Sequence, residues 1–198
     1  MDHEEMLQLF QELGVFARGH FLLSSGRHSD EYWEKFRIFE HPRVTERLCG
    51  LIAQRYREQQ VAVVLGPTTG GALLAQEVAR QLGVRCMIAE PASSGGGREL
   101  RRGFLLRAGE RVLVVDDVLT TGLSVRETLA ALRAYQPDIL GIEVLIDRSN
   151  GEAGKQFDVP LRALFSVAAR SYDPAACPLC LAGQPVVKPG TRKMPGQQ

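Results

Sequence analysis

Residues 112–124 have the sequence VLVVDDVLTTGLS, in which a strand, a pair of carboxylates, a loop and the start of a helix follow one another. The four apolar residues at the start predict a strand that is buried on both faces. Asp116 and Asp117 come next, at the carboxyl end of that strand, and hydroxyl and glycine residues separate them from a helix. This order predicts one unit of an α/β fold with a parallel sheet.

The loop in this segment is suited to bind an anion. Backbone N–H groups at the N-terminus of a helix favour phosphate, and Thr120, Thr121 and Ser124 add hydroxyl groups. Gly122 lets the backbone approach a ligand closely. The two carboxylates would repel phosphate unless they face sugar hydroxyls or Mg²⁺, so the segment predicts a site for a phosphorylated sugar. The alternative is an Asp pair that begins an ordinary turn before a capped helix.

The same pattern occurs elsewhere in the chain. The apolar run 61–65 predicts a buried strand, and the turn GPTTGG at 66–71 leads from it into a helix. That turn also presents N–H groups to an anion. Further short strands are predicted at 84–88 and 139–146, so strands alternate with helices. Such a sheet binds ligands at the carboxyl ends of its strands.

The remaining segments have weaker patterns. Apolar residues recur at helical spacing over 6–13, and Gly14 ends that helix. An irregular stretch is predicted over 19–39, and a second helix begins at Pro42. Residues 91–103, with five consecutive Ser and Gly residues, are predicted to form a loop.

Composition sets limits on the class of protein. The 198 residues, 44% of them apolar, suit one domain, which we place at 1–190 with a flexible tail over 187–198. A net charge of +1 argues against a nucleic-acid partner. No apolar run is long enough for a membrane helix and no secretory signal is visible, so a cytoplasmic protein with no membrane partner is expected.

Residues 112–124 resemble the phosphoribosyl pyrophosphate (PRPP) signature of the type I phosphoribosyltransferases. The resemblance implies an α/β fold with a central, mainly parallel five-stranded sheet flanked by helices. A small hood, mainly residues 1–40 and a C-terminal segment, would complete it. The acid pair would contact the ribose hydroxyls, and Mg²⁺ would be held through the substrate rather than in a protein cage. The residues that would bind PRPP are Thr68, Thr69, Gly70, Arg98, Asp116, Asp117, Thr120, Thr121, Gly122, Leu123 and Ser124.

Residues 19–29, GHFLLSSGRHS, resemble the hood of the orotate phosphoribosyltransferases, and the likeness runs from about residue 5 to 170. It implies transfer of phosphoribosyl from PRPP to orotate by a homodimer. Ser25, Tyr32, Trp33 and Arg126 would then contact the base. A guanidinium suits a planar carboxylate such as orotate. The alternative is that Tyr32 and Trp33 belong to the core and that Arg126 is solvated.

The chain departs from that family at two places. Most orotate enzymes have a lysine where Ser24 stands, and their mobile loop has a lysine and a histidine that 91–103 lacks. Asp116 and Asp117, together with Arg101 and Arg102 of this loop, are assigned the catalytic role, and which arginine, if any, replaces the lysine stays open. An arginine neutralises charge on leaving pyrophosphate but does not readily donate a proton. Transfer to another nucleobase, or regulation by binding PRPP or nucleotides without catalysis, stays open.

A Cys-x-x-Cys pair, Cys177 and Cys180, has the spacing of a zinc knuckle. A tetrahedral site needs four ligands, and Cys49 and Cys86 fall within a predicted helix and strand. The nearest histidine in sequence, His41, is far upstream. A local turn or a disulfide is the preferred interpretation, with zinc, or cysteines paired across a dimer, as alternatives.

Overall fold

The computed structural model describes residues 1–23, 25–168 and 170–189. The chain divides into two compact units, one formed by residues 1–37 with the C-terminal segment from 169, the other by 38–168. The assignment of 1–190 to a single domain with a hood stays a prediction. Most of the predicted tail, 190–198, lies outside the described residues.

Helices and strands follow one another along both units. The helices are α1 (His3–Glu12), α2 (Phe36–Phe39), α3 (Pro42–Tyr56), α4 (Gly70–Leu82), α5 (Leu123–Leu132) and α6 (Pro178–Leu181). The strands are β1 (Phe16–Leu22), β2 (His28–Trp33), β3 (Val63–Pro67), β4 (Arg85–Pro91), β5 (Arg98–Leu100), β6 (Arg111–Leu119), β7 (Asp138–Asp147) and β8 (Leu161–Ser166). Within the described ranges, none of the helices has the length and apolar character needed to cross a membrane.

In the first unit, β1 and β2 form an antiparallel hairpin where the sequence predicted an irregular stretch. The register shifts between Arg18 and Phe21, and His20 and Phe21 are consecutive buried residues of β1. A bulge of this kind interrupts the inward–outward alternation by which a strand is identified in a sequence. That interruption explains why the sequence pattern of residues 19–39 did not predict strands.

The second unit is built on one sheet with the strand order β5-β4-β3-β6-β7-β8. The five strands β4, β3, β6, β7 and β8 run parallel, which confirms the predicted sheet, and β5 adds a short antiparallel edge. Val63, Val64 and Leu65 are each 0% exposed, because helices cover both faces of a parallel sheet. The structure therefore confirms the buried strand that the apolar run 61–65 predicts.

The segment 91–103 is more ordered than the predicted loop. The end of β4 pairs with β5, Ala89 opposite Leu100, so the chain forms a hairpin with its turn at 92–97. The Ala92 amide donates to the Gly97 carbonyl across this turn (3.1 Å). The glycines at 95–97 all have positive φ, which suits a tight turn. Because these glycines favour a loop prediction, the sequence pattern does not indicate the short strand β5 that follows them.

Candidate active site

The acid pair lies within β6 rather than after it. Asp116 and Asp117 are 5% and 3% exposed, near the carboxyl end of a strand that continues to Leu119. An oxygen of Asp116, Oδ1, accepts the amide of Asp117 (2.9 Å), and Oδ1 of Asp117 accepts the amide of Val118 (2.6 Å). These bonds hold both carboxyl groups in a set orientation close to the backbone.

The glycine turn that follows β3 packs against this pair, because β3 and β6 are neighbours in the sheet. A Cβ on Gly71 would lie 2.9 Å from Asp116 Oδ1, and one on Gly70 would overlap the carboxyl group of Asp117. A Cβ on Gly66 would in turn overlap the backbone of Gly71. Only glycine permits this approach, so the two turns predicted to bind anions, far apart in sequence, meet at the carboxylates.

Beside the acid pair lies a cleft of about 250 Å³, lined by residues 118–125 together with Arg98, Asp116 and Glu127. The lining includes residues 120–124, which are five of the residues predicted to bind PRPP. Helix α5 begins here with Gly122 as its N-cap, at a φ of +75°. The N-terminal end of a helix, with its unpaired N–H groups, attracts an anion into such a cleft.

Arg98 is the arginine of the β4–β5 hairpin that lines this cleft. Its side chain is 13% exposed, and Nη1 donates to the carbonyl of Ala89 (3.0 Å) and to Thr68 Oγ1 (3.4 Å). Its Nε lies 3.7 Å from an oxygen of Glu127. The guanidinium thus connects the turn after β3 with the first turns of α5.

Arg101 and Arg102 do not line the cleft in this structure. Arg102 donates twice to Glu90 (2.7 and 3.1 Å), and Arg101 forms an ion pair with Glu99. Hydrogen bonds from these arginines lower the pKa of the Glu90 and Glu99 carboxyl groups, which keeps both partners charged. Their catalytic role stays a prediction that requires them to exchange these carboxylates for substrate.

Of the residues assigned to the base in the first unit, Trp33 lies in the core. It is 7% exposed, and its ring packs 4.7 Å from Phe16 and 6.1 Å from Phe10, centroid to centroid. The indole thus packs in the interior of the first unit, and its contact with the base stays a prediction. Tyr32 is half-buried and donates to Glu34 (3.1 Å), and Ser25 is exposed in the turn before β2.

Arg126 is exposed in the first turn of α5. Its Nη1 donates to Gln156 Oε1 (2.7 Å), and Gln156 Nε2 donates to the carbonyl of Thr121 (3.5 Å). Phe157 adds a second support, since a Cβ on Gly122 would lie 3.0 Å from its ring. Gln156 and Phe157 were missed by sequence reasoning, because they belong to no motif and reach the 120–124 turn through the loop after β7.

Comparison with known proteins agrees with this geometry. A family model for the phosphoribosyl transferase domain matches residues 36–162. The orotate phosphoribosyltransferase of Desulforamulus reducens is 44% identical, with 98% of this chain and 100% of the relative covered, and that of Pelotomaculum thermopropionicum is 45% identical with the same coverage. The crystal structure of orotate phosphoribosyltransferase from Aeropyrum pernix is similar with a TM-score of 0.70, at 27% identity, over 82% of this chain and 93% of that one.

Proposed function

The chain belongs to the orotate phosphoribosyltransferase branch of the phosphoribosyltransferase family, and on this premise we propose that it transfers the 5-phosphoribosyl group of PRPP to orotate. N1 of orotate forms a bond to C1 of the ribose and gives up its proton to solvent, and the bond from C1 to pyrophosphate breaks. Pyrophosphate leaves with the electron pair, and orotidine 5-monophosphate is the second product. The observation that carries this function is the meeting of the 66–71 turn with Asp116 and Asp117.

Each part of PRPP has a counterpart in the site. Residues 120–124 and the N-terminus of α5 hold the 5-phosphate with backbone N–H groups and hydroxyls. The 66–71 turn holds the pyrophosphate in the same way. Asp116 and Asp117 accept hydrogen bonds from the ribose hydroxyls. The two carboxylates therefore orient the sugar between its two anionic groups, which supplies much of the rate enhancement.

Charge separates as the reaction proceeds. The ribosyl group becomes cationic while negative charge collects on pyrophosphate, so oriented carboxylates on one side and positive groups on the other favour the transition state. Arg98 is the cation that faces the cleft, held there by Ala89 and Thr68. Arg101 and Arg102 would add positive charge beside Arg98 when the β4–β5 hairpin moves towards the leaving group.

Mg²⁺ is the metal that this reaction implies, and the donor set fits it. Mg²⁺ prefers hard oxygen ligands, and it binds through one or two carboxylates plus substrate phosphates rather than in an all-protein cage. Asp116 lines the cleft and Asp117 is its neighbour in β6, so both carboxylates lie close to where PRPP would hold the ion. When bound with PRPP, the ion would neutralise part of the charge on the departing pyrophosphate.

The oligomeric state of the protein is part of the proposal. Orotate enzymes are dimers, and we propose a homodimer in which the 91–103 segment closes a site and keeps water from the ribosyl group. Size-exclusion chromatography with light scattering distinguishes a dimer from a monomer.

The identity of the base is tested with a panel. Pyrophosphate release is measured with PRPP, Mg²⁺ and one base at a time: orotate, uracil, adenine, hypoxanthine or guanine. We expect release with orotate and none above background with the others. Release with another base alone would assign the chain a different base, and PRPP binding without release in any mixture would favour a regulator.

Arg126→Ala is expected to raise the KM for orotate by roughly tenfold and to change the KM for PRPP by much less, because the guanidinium would bind a carboxylate of the base. Steady-state kinetics with each substrate varied in turn measures both constants. Arg133→Ala, at the exposed end of the same helix, is the matched control. Equal changes in the two KM values would count against contact with the base.

A further inference from the structure

Four side chains of the first unit converge on one point. They are His20, His28, Cys177 and Cys180, and one ligand atom from each lies within 4.8 Å of the others. His20, His28 and Cys177 are 4%, 8% and 1% exposed, and both cysteines are free. None of these residues has a part in the proposed transfer reaction. We propose that they bind a structural Zn²⁺ ion.

The distances agree with a tetrahedral site. Zinc bonds of about 2.0–2.1 Å to nitrogen and about 2.3 Å to sulfur, at tetrahedral angles, place N and S about 3.6 Å apart. The observed separations are 3.6 Å from Cys177 Sγ to His20 Nε2, 3.7 Å from Cys180 Sγ to the same nitrogen, and 3.3 Å from Cys180 Sγ to His28 Nδ1. The two ring nitrogens are 2.8 Å apart, so the imidazoles separate by about half an ångström when zinc enters.

The hydrogen bond on the far side of His20 sets its ligand atom. Nδ1 of His20 lies 2.8 Å from the backbone carbonyl of Gln184. A carbonyl only accepts, so Nδ1 carries the proton and Nε2 presents its lone pair to the cluster. Ligating histidines in metal sites are commonly held by a backbone carbonyl in this way.

Two distant parts of the chain supply the ligands in pairs. The bulge in β1 turns His20 inward, and His28 opens β2 on the opposite strand. The cysteines lie at the start of α6, in a segment that pairs with β1 through Val187, whose amide donates to the His20 carbonyl (2.8 Å). A bound ion would therefore join the hairpin to the C-terminal segment.

The ligand set points to zinc and to a structural site. Two thiolates with two imidazoles in a tetrahedron are typical of Zn²⁺, whereas Mg²⁺ and Ca²⁺ take oxygen ligands. Four protein ligands leave no position for water or substrate, which separates structural from catalytic zinc. The binding energy then adds to the stability of the folded unit.

Zinc content tests the proposal on the full-length protein. After purification without chelator and dialysis, we expect about one zinc per chain, and far less in Cys180→Ser and His28→Gln. Cys86→Ser and His41→Gln, which alter a cysteine and a histidine outside the cluster, are expected to keep the metal. Zinc absent from the parent protein even after addition of ZnCl₂, or retained in full by both cluster variants, would overturn the proposal.

A second measurement does not depend on the variants folding. Cobalt(II) added to the metal-free parent protein should produce tetrahedral ligand-field bands and a thiolate charge-transfer band. A chelator should lower the melting temperature of the zinc-loaded parent protein by several degrees in the absence of substrate. A Cys177–Cys180 disulfide in protein purified under reducing conditions, or a cobalt spectrum without the thiolate band, contradicts the site. Neither readout involves turnover, so the proposed transferase function stands or falls separately.

Discussion

Asp117→Asn is expected to lower kcat by roughly a hundredfold and to leave the fold intact. Asparagine has the same shape and keeps an oxygen that accepts the Val118 amide, as Asp117 Oδ1 does in the parent protein. The substitution removes the negative charge that we propose orients the ribose hydroxyls and favours the cationic ribosyl group. Pyrophosphate release measures kcat, and the circular-dichroism melt measures the fold.

Asp138→Asn is the matched control for this substitution. Asp138 is exposed at the amino end of β7, where it faces Arg111 at 3.6 Å, so the substitution removes an equal charge far along the sheet from the cleft. We expect its kcat to stay within about twofold of the parent value, because Asp138 lies far from the cleft. The fold should persist as well, because an exposed ion pair contributes little to stability. An Asp117→Asn enzyme with the parent kcat would refute the role assigned to this carboxylate.

Gly70→Ala is expected to lower kcat/KM for PRPP by about a hundredfold, since a displacement near 1 Å in a reacting geometry costs that much. The added Cβ would overlap the carboxyl group of Asp117, so either the 66–71 turn or the carboxylate must move. Steady-state kinetics with PRPP varied at saturating orotate measures the effect.

Gly154→Ala serves as the control for the glycine substitution. A Cβ at Gly154 would meet Leu161 at 3.8 Å, which is ordinary van der Waals contact. The control should retain the parent kcat/KM. A Gly70→Ala enzyme that binds and turns over PRPP like the parent would show that the close packing of the two turns is not needed.

The parallel sheet was predictable because its signal is local. Buried strands such as 63–65 are continuous apolar runs, and the turns after them carry glycine and hydroxyl residues within a few positions. Register and strand order then bring the 66–71 turn and the acid pair together, as the rule for the carboxyl ends of parallel strands implies. The structure therefore confirms the predicted fold class.

Features that depend on long-range contacts were not predictable. His20 and Cys177 are 157 positions apart, and only the hairpin and the C-terminal pairing bring them together, so a search along the sequence reached His41 instead. Likewise, no pattern shows that Glu90 and Glu99 hold Arg102 and Arg101. The packing of Trp33 against Phe10 and Phe16 was likewise not visible in the sequence, and its contact with the base stays a prediction.

The most direct test of the transferase function is the stoichiometry of a single reaction mixture containing the protein, PRPP, Mg²⁺ and orotate. We expect that orotate absorbance falls, that one pyrophosphate is released for each orotate consumed, and that the new nucleotide has the mass of orotidine 5-monophosphate. Omitting PRPP, or using the Asp117→Asn enzyme at equal concentration, should abolish most of the change. If folded protein leaves orotate unconsumed in the presence of PRPP and Mg²⁺, the result would contradict the proposed transferase function.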